Sequence, residues 1–197
     1  MRDDDQPFFP GFGPEPRLGA MPMAVSHKFF YALSPGKEAA ATAYAAGRRL
    51  NRQNDLAGRP VRQENLHVTL FPFWAGNEPP ADLAEIASAY AQTVLKQPFQ
   101  VSFDMAMSFR RKNGFCLVLG DTAGASGIYD LQRQLVMRFQ SVIRAGSLTP
   151  HMTLLYTDTF VEKQPVEPVR WTAREFVLIH SFVRAGRHEI AARWPLR

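Results

Sequence analysis

The hydrophobic and polar positions after residue 23 alternate between helical and extended patterns. Apolar residues spaced three to four apart predict helices, whereas a period of two or a short apolar run predicts strands. Helices are expected over residues 37–54, 80–96 and 126–144. Strands are expected over residues 27–33, 66–71, 99–107, 115–120, 151–156, 175–183 and 188–194.

The order of these segments is β-α-β, then α-β-β-α-β, then β-β, without the regular alternation of a parallel α/β sheet. Asn113-Gly114 is a strong hairpin signal, and residues 185–187 separate the last two strands as a terminal hairpin. We therefore expect an α+β fold with mostly antiparallel sheets. Two passages from helix to strand end alike, which indicates an internal duplication into two lobes.

The first 23 residues differ in character from the rest. They contain Asp3, Asp4 and Asp5 and a run rich in proline, glycine and phenylalanine over residues 7–14. A signal peptide has a basic start and an apolar centre, and this segment has neither. We expect residues 1–23 to be a disordered tail and residues 24–197 to form one folded domain.

Charge narrows the class of partner. Twenty-three Lys and Arg against 18 Asp and Glu give a net +5 at pH 7. The first 23 residues hold two arginines and four acidic residues, so the remainder carries +7. A basic body favours nucleic acids or phosphorylated small molecules, although a solvated basic surface explains the charge equally well.

Cysteine content and hydropathy indicate the compartment. Cys116 is the only cysteine, so neither an internal disulfide nor a multi-cysteine metal site can form, and its apolar setting predicts a buried strand. No apolar run approaches the roughly 20 residues that span a bilayer. We expect a cytoplasmic protein without membrane contact.

The most informative feature is a tetrad, His-x-Thr-Leu, that occurs at residues 67–70 and again at 151–154. Alternate side chains of a strand share a face, so His67, Thr69 and Phe71 should point one way. For the same reason His151, Thr153 and Leu155 should share one face of their strand, opposite Met152, Leu154 and Tyr156. Histidine and threonine then lie about 6.5–7 Å apart along the backbone and can converge on one small anion.

This set matches the needs of phosphoester cleavage without a metal. The reaction requires a base for the attacking oxygen, an acid for the leaving oxygen and donors for the non-bridging oxygens. Two histidines can supply the base and the acid near neutral pH. Two threonines supply donors without adding negative charge.

A packing role and a metal site are the alternatives to catalysis by these histidines. One strand histidine is more often a packing residue, but two matching tetrads in a chain with five histidines argue against coincidence. A zinc site needs a third ligand from His27, His180, His188 or a carboxylate, and neither tetrad has an acidic residue or HExxH spacing. We therefore expect no metal.

The paired tetrads resemble the 2H phosphoesterase superfamily, and specifically bacterial RNA 2′,3′-cyclic phosphodiesterases, also called 2′-5′ RNA ligases. The resemblance covers about residues 25–197. It extends to segments outside the tetrads, namely residues 28–33, Glu64-Asn65-Leu66, Trp171, residues 176–178 and residues 193–196.

The resemblance implies a bilobal fold with pseudo-twofold symmetry, helices packed outside and a central cleft. It implies that His67 is the proton donor, that His151 is the proton acceptor, and that Thr69 and Thr153 hold the phosphate. The implied reaction opens a 2′,3′-cyclic phosphate of an RNA end or nucleotide to a 2′-phosphomonoester, with 2′-5′ ligation as its reversal. The resemblance implies no cofactor and no obligate protein partner, and a monomer is expected.

Some residues and functions stay open on the sequence alone. Phe71 can stack on a nucleobase or line the cleft floor, and residues 110–112 can contact an RNA backbone or form a solvated turn. We interpret His180 and His188 as structural or surface residues. Two further functions are compatible with the chain: a non-catalytic RNA or nucleotide-binding module, and a 2H enzyme that acts on a small cyclic-phosphate metabolite.

Overall fold

Nine strands and three helices make up the part of the protein that the structure, a computed structural model, describes: residues 25–121, 125–139 and 148–197. The helices are α1 (Gly36–Gln53), α2 (Leu83–Ala91) and α3 (Ser126–Phe139). The strands are β1 (His27–Leu33), β2 (Arg59–Pro60), β3 (Val68–Gly76), β4 (Phe99–Arg110), β5 (Phe115–Gly120), β6 (Met152–Thr157), β7 (Gln164–Ala173), β8 (Glu175–Phe182) and β9 (Arg187–Pro195).

All strands belong to one sheet, in the order β7-β4-β5-β6-β3-β1-β8-β9, with β2 also pairing with β6. Every pairing is antiparallel, which confirms the predicted α+β class. Two halves of four strands read outward from the centre, β6-β5-β4-β7 and β3-β1-β8-β9. The units β1-α1-β3 and β5-α3-β6 have the same order, in agreement with the predicted duplication.

The two helices that follow β1 and β5 each contact the central strand of the opposite half of the sheet. Helix α1 lies against β6 and β7, and α3 lies against β3 and β4. Gly47 of α1 sits so close to β6 that a Cβ there would meet Leu154 Cβ at 3.2 Å. Gln132 of α3 donates a hydrogen bond to the Thr69 carbonyl at 3.4 Å. Each helix therefore supports the central strand of the other half, and one hydrophobic core spans both halves.

Two strands differ from expectation because of proline. Strand β3 was predicted to end at Pro72 but continues to Gly76, because the register with β1 shifts at Phe73 and a bulge accommodates the missing N–H. Strand β7 was not predicted, since Pro165 and Pro168 interrupt its pattern. It lies at the edge of the sheet, where proline is tolerated.

The helices differ from expectation mainly at their ends. Helix α2 is shorter than the predicted 80–96. Helix α3 begins as predicted at Ser126, while residues 140–147 and the predicted tail lie outside the described residues. No helix in the described ranges is long and apolar enough to cross a membrane.

Candidate active site

The two tetrads meet at the centre of the sheet, where β3 and β6 pair through Val68 and Met152. Both residues are fully buried in the core. Because an antiparallel register runs in opposite directions, the pairing sets His67 opposite Thr153 and Thr69 opposite His151. Alternation along each strand directs these four side chains to the face away from the core. We call this junction and its polar face the seam.

A bulge follows the threonine in both strands. Thr69 pairs with Ala32 and Phe71 with Tyr31, which leaves Leu70 without a partner. In β6 the same shift leaves Leu154 without a partner on β5. Both tetrads therefore contain the same backbone bulge, at the leucine that follows the threonine.

The bulge overturns one prediction for each strand. Phe71 does not share the face of His67 and Thr69 but is 1% exposed within the core, so it has no free ring face for a nucleobase. Leu155 likewise lies in the core, and Tyr156 is half-buried on the seam side. Strict alternation fails because two successive residues of a bulge oppose one residue of the partner strand.

The two imidazoles are held in the same way. His67 Nδ1 lies 2.7 Å from the Asn65 carbonyl oxygen, and His151 Nδ1 lies 2.8 Å from the Thr149 carbonyl oxygen. A carbonyl only accepts, so each Nδ1 carries the hydrogen. Nε2 of both rings makes no hydrogen bond in the part of the chain that the structure describes, and it has a lone pair available when the ring is neutral.

Burial favours the neutral form of both rings in the free protein. The pKa of His67 is lowered to about 4, mainly by desolvation and also by the charges of His188 and His151, while the hydrogen bond to Asn65 opposes this change. Desolvation also lowers the pKa of His151 against the hydrogen bond to Thr149. The electrostatic effect of His151 on His67 agrees with the close approach of the two tetrads across the β3–β6 pairing.

Aromatic rings surround both histidines. The ring of Phe30 lies 4.9 Å from that of His67, and the ring of Phe109 lies 4.9 Å from that of His151, centroid to centroid. The hydroxyls of Thr69 and Thr153 make no hydrogen bond within the described residues. These hydroxyls therefore remain available to a ligand bound between the rings of Phe30 and Phe109.

His188 is a site residue that the sequence analysis missed. Its ring lies edge-on to His67 at 5.2 Å, and its buried Nδ1 has no hydrogen-bond partner among the described residues. His188 was interpreted as a structural or surface residue, and the structure places it in contact with a candidate catalytic ring. No spacing in the sequence indicates the contact, which depends on how the β8–β9 hairpin folds back toward β1.

The other two histidines lie apart from the seam. His27 Nδ1 and His180 Nε2 are 2.9 Å apart, and the His180 ring stacks on Phe29. Phe29 belongs to the main core, so His27 and His180 lie on the side of the sheet that faces the core. These histidines provide a control for experiments on the seam.

Comparison with known families identifies this arrangement. The profile of the 2′-5′ RNA ligase superfamily matches residues 38–181, which include both tetrads. The chain belongs to the 2′-5′ RNA ligase superfamily. The resemblance to 2H phosphoesterases is thereby confirmed. A search of the curated proteins finds no match.

Several solved structures share the fold of this chain. Escherichia coli LigT in its apo form is 24% identical with a TM-score of 0.68, over 86% of this chain and 97% of LigT. E. coli LigT complexed with 3′-AMP is 24% identical with a TM-score of 0.65, over 86% of this chain and 98% of LigT. TT0787 of Thermus thermophilus is 19% identical with a TM-score of 0.68, over 86% of this chain and 98% of TT0787.

The superfamily's paired tetrads here offer two kinds of group. The histidines present nitrogens that can take or give a proton, and the threonines present hydroxyl donors. Within the described ranges, no three His, Cys, Asp or Glu side chains are grouped so that they could hold a metal ion. Acid–base chemistry on a bound anion is the reaction class that this set serves most directly.

Proposed function

We propose that the protein hydrolyses 2′,3′-cyclic phosphates of RNA ends or nucleotides to 2′-phosphomonoesters, with His67 as proton donor and His151 as proton acceptor. The proposal rests on the seam, where each histidine with an available Nε2 lies opposite a threonine of the other strand. Membership of the superfamily supports the assignment.

Each proton in the proposed reaction has an assigned donor and acceptor. His151 Nε2 takes a proton from water while the water oxygen bonds to phosphorus. The bond between phosphorus and the 3′-oxygen breaks, and protonated His67 Nε2 gives its proton to that oxygen. Thr69 and Thr153 donate hydrogen bonds to the non-bridging oxygens. Attack by the 5′-hydroxyl of another RNA end is the reverse of cleaving a 2′-5′ linkage.

The low pKa of His67 makes its protonation depend on substrate. In the free site a charged ring is disfavoured by burial and by two neighbouring histidines. A bound phosphate places a negative charge beside the ring, and an opposite charge within a few ångströms favours the protonated form. The substrate thus raises the pKa of its own general acid.

Alanine variants test the proposal. His67→Ala and His151→Ala should each lower kcat for a cyclic nucleotide by about 10²–10⁴-fold, because each removes one proton-transfer group. His180→Ala, which removes a histidine outside the seam, should retain activity. Wild-type activity should persist in EDTA. Full activity of both seam variants, or its loss on chelation, would refute the mechanism.

A further inference from the structure

A second polar feature lies on β6 beyond the seam and consists of Tyr156, Arg59 and Arg111, which we call the arginine platform. The guanidinium of Arg111 lies over the Tyr156 ring, 4.4 Å from its centroid, and that of Arg59 lies 5.7 Å from it. Arg59 pairs with Tyr156 across β2 and β6. Arg111 begins the turn between β4 and β5.

The arginine platform is continuous with the seam. Tyr156 follows Thr153 by three residues, about 10 Å along a strand, and the bulge at Leu154 restores it to the same face. Directly paired residues share a face of the sheet. Phe109 pairs with Cys116, and Cys116 pairs with Tyr156, so Phe109 and Tyr156 lie on the same face. Phe109 in turn packs against His151. One surface therefore runs from His151 to the platform.

The positive charges of the platform are not neutralised within the described residues. Neither Arg59 nor Arg111 takes part in any of the salt bridges there. Asp158 lies nearby against Gly114 and forms no salt bridge with either arginine. Both arginines are exposed. An aromatic face attracts a guanidinium and leaves its N–H edge free for a phosphate.

We infer that the arginine platform binds a phosphodiester of the RNA strand that leads to the cyclic phosphate. The inference rests on the proposed function and specifies its substrate: an oligoribonucleotide end is preferred over a cyclic mononucleotide or small metabolite, neither of which carries a phosphodiester that reaches the platform. Tyr156 positions the guanidinium groups, and the guanidinium groups contact the backbone, which makes the preference independent of base sequence.

The experiment compares a pentaribonucleotide ending in a 2′,3′-cyclic phosphate with the cyclic mononucleotide. Wild type should show a higher kcat/KM for the pentamer. Arg111→Ala and Tyr156→Leu should lower the pentamer-to-mononucleotide ratio of kcat/KM by about tenfold, the scale of one charged hydrogen bond. Arg111→Ala should also reduce the slope of log kcat/KM against log salt for the pentamer by about 0.7.

Two matched variants sharpen the result. Tyr156→Phe keeps the ring face and should keep the preference that Tyr156→Leu loses. Arg49→Ala removes one positive charge from an exposed position of α1, on the core side of the sheet, and should leave the ratio unchanged. An unchanged ratio in Arg111→Ala and Tyr156→Leu, or equal wild-type use of both substrates, overturns the inference.

Binding separates the inference from the proposed function. Fluorescence anisotropy of a labelled pentamer ending in a 3′-phosphate measures affinity without turnover. If the wild type hydrolyses neither substrate but Arg111→Ala binds the pentamer more weakly than the wild type does, the platform is supported and the proposed function is contradicted. Equal competition by polyglutamate would show a general anion surface and contradict the platform as an RNA site.

Discussion

At the scale of single residues, the site depends on one hydrogen bond made twice, from a histidine Nδ1 to the carbonyl two residues before it. The tetrads could be found in the sequence because strand alternation links His67 to Thr69 and His151 to Thr153. The contact of His188 with His67 could not be found there, because it depends on the long-range docking of a hairpin.

Replacing His188 should change the titration of His67. His188→Gln removes a positive charge that forms at low pH beside His67, so the pKa of His67 should rise from about 4 toward its ordinary 6.5. NMR titration of the imidazole signals measures the change. His180→Gln, which alters a distant histidine, should leave the His67 titration in place, and an unmoved His67 in His188→Gln would contradict the assignment.

The lowered pKa of His67 also makes stability depend on pH. The unfolded chain binds the proton near pH 6.5 and the folded chain only near pH 4, so the neutral His67 ring contributes its full stability above pH 6.5. As the pH falls to 4, the free energy of unfolding decreases by about 3 kcal/mol. Urea unfolding at pH 7.5 and 4.5 should show a smaller difference in the free energy of unfolding for His67→Gln than for wild type. Equal differences would contradict the shift.

At the scale of elements, bulges and crossed helices position the site. The periodicity of the sequence predicted β1, β5 and the start of α3 at their observed residues. It could not predict the bulges at Leu70 and Leu154, because a bulge is set by pairing with a neighbouring strand rather than by local pattern. For the same reason Phe71 and Tyr156 each lie on the face of their strand opposite to the one expected.

The packing of α1 on β6 should be sensitive to size at one position. Gly47→Val places methyl groups against Leu154, within contact distance of the strand that carries Thr153, and should destabilise the protein by about 1–3 kcal/mol. Ala45→Val, at an exposed position of the same helix, introduces the same β-branched side chain without the contact. Chemical denaturation compares the two, and equal losses would contradict the proposed packing.

At the scale of the whole molecule, the duplicated halves create a site that neither half contains. One histidine and one threonine come from each side of the seam, and each helix braces the strand of the other half. The sequence predicted the duplication because the tetrads repeat. It could not predict that the halves join through so short a pairing, since long-range register leaves no local signal. The net +7 beyond the tail suits a site that attracts phosphate.

The most direct test of this account is the product formed from 2′,3′-cyclic AMP, followed by ³¹P NMR with wild type, His67→Ala and His151→Ala in the presence of EDTA. The account predicts conversion to 2′-AMP by the wild type and a rate lower by about 10²–10⁴-fold in each variant. No hydrolysis by the wild type, formation of 3′-AMP, or undiminished conversion by either variant would contradict it.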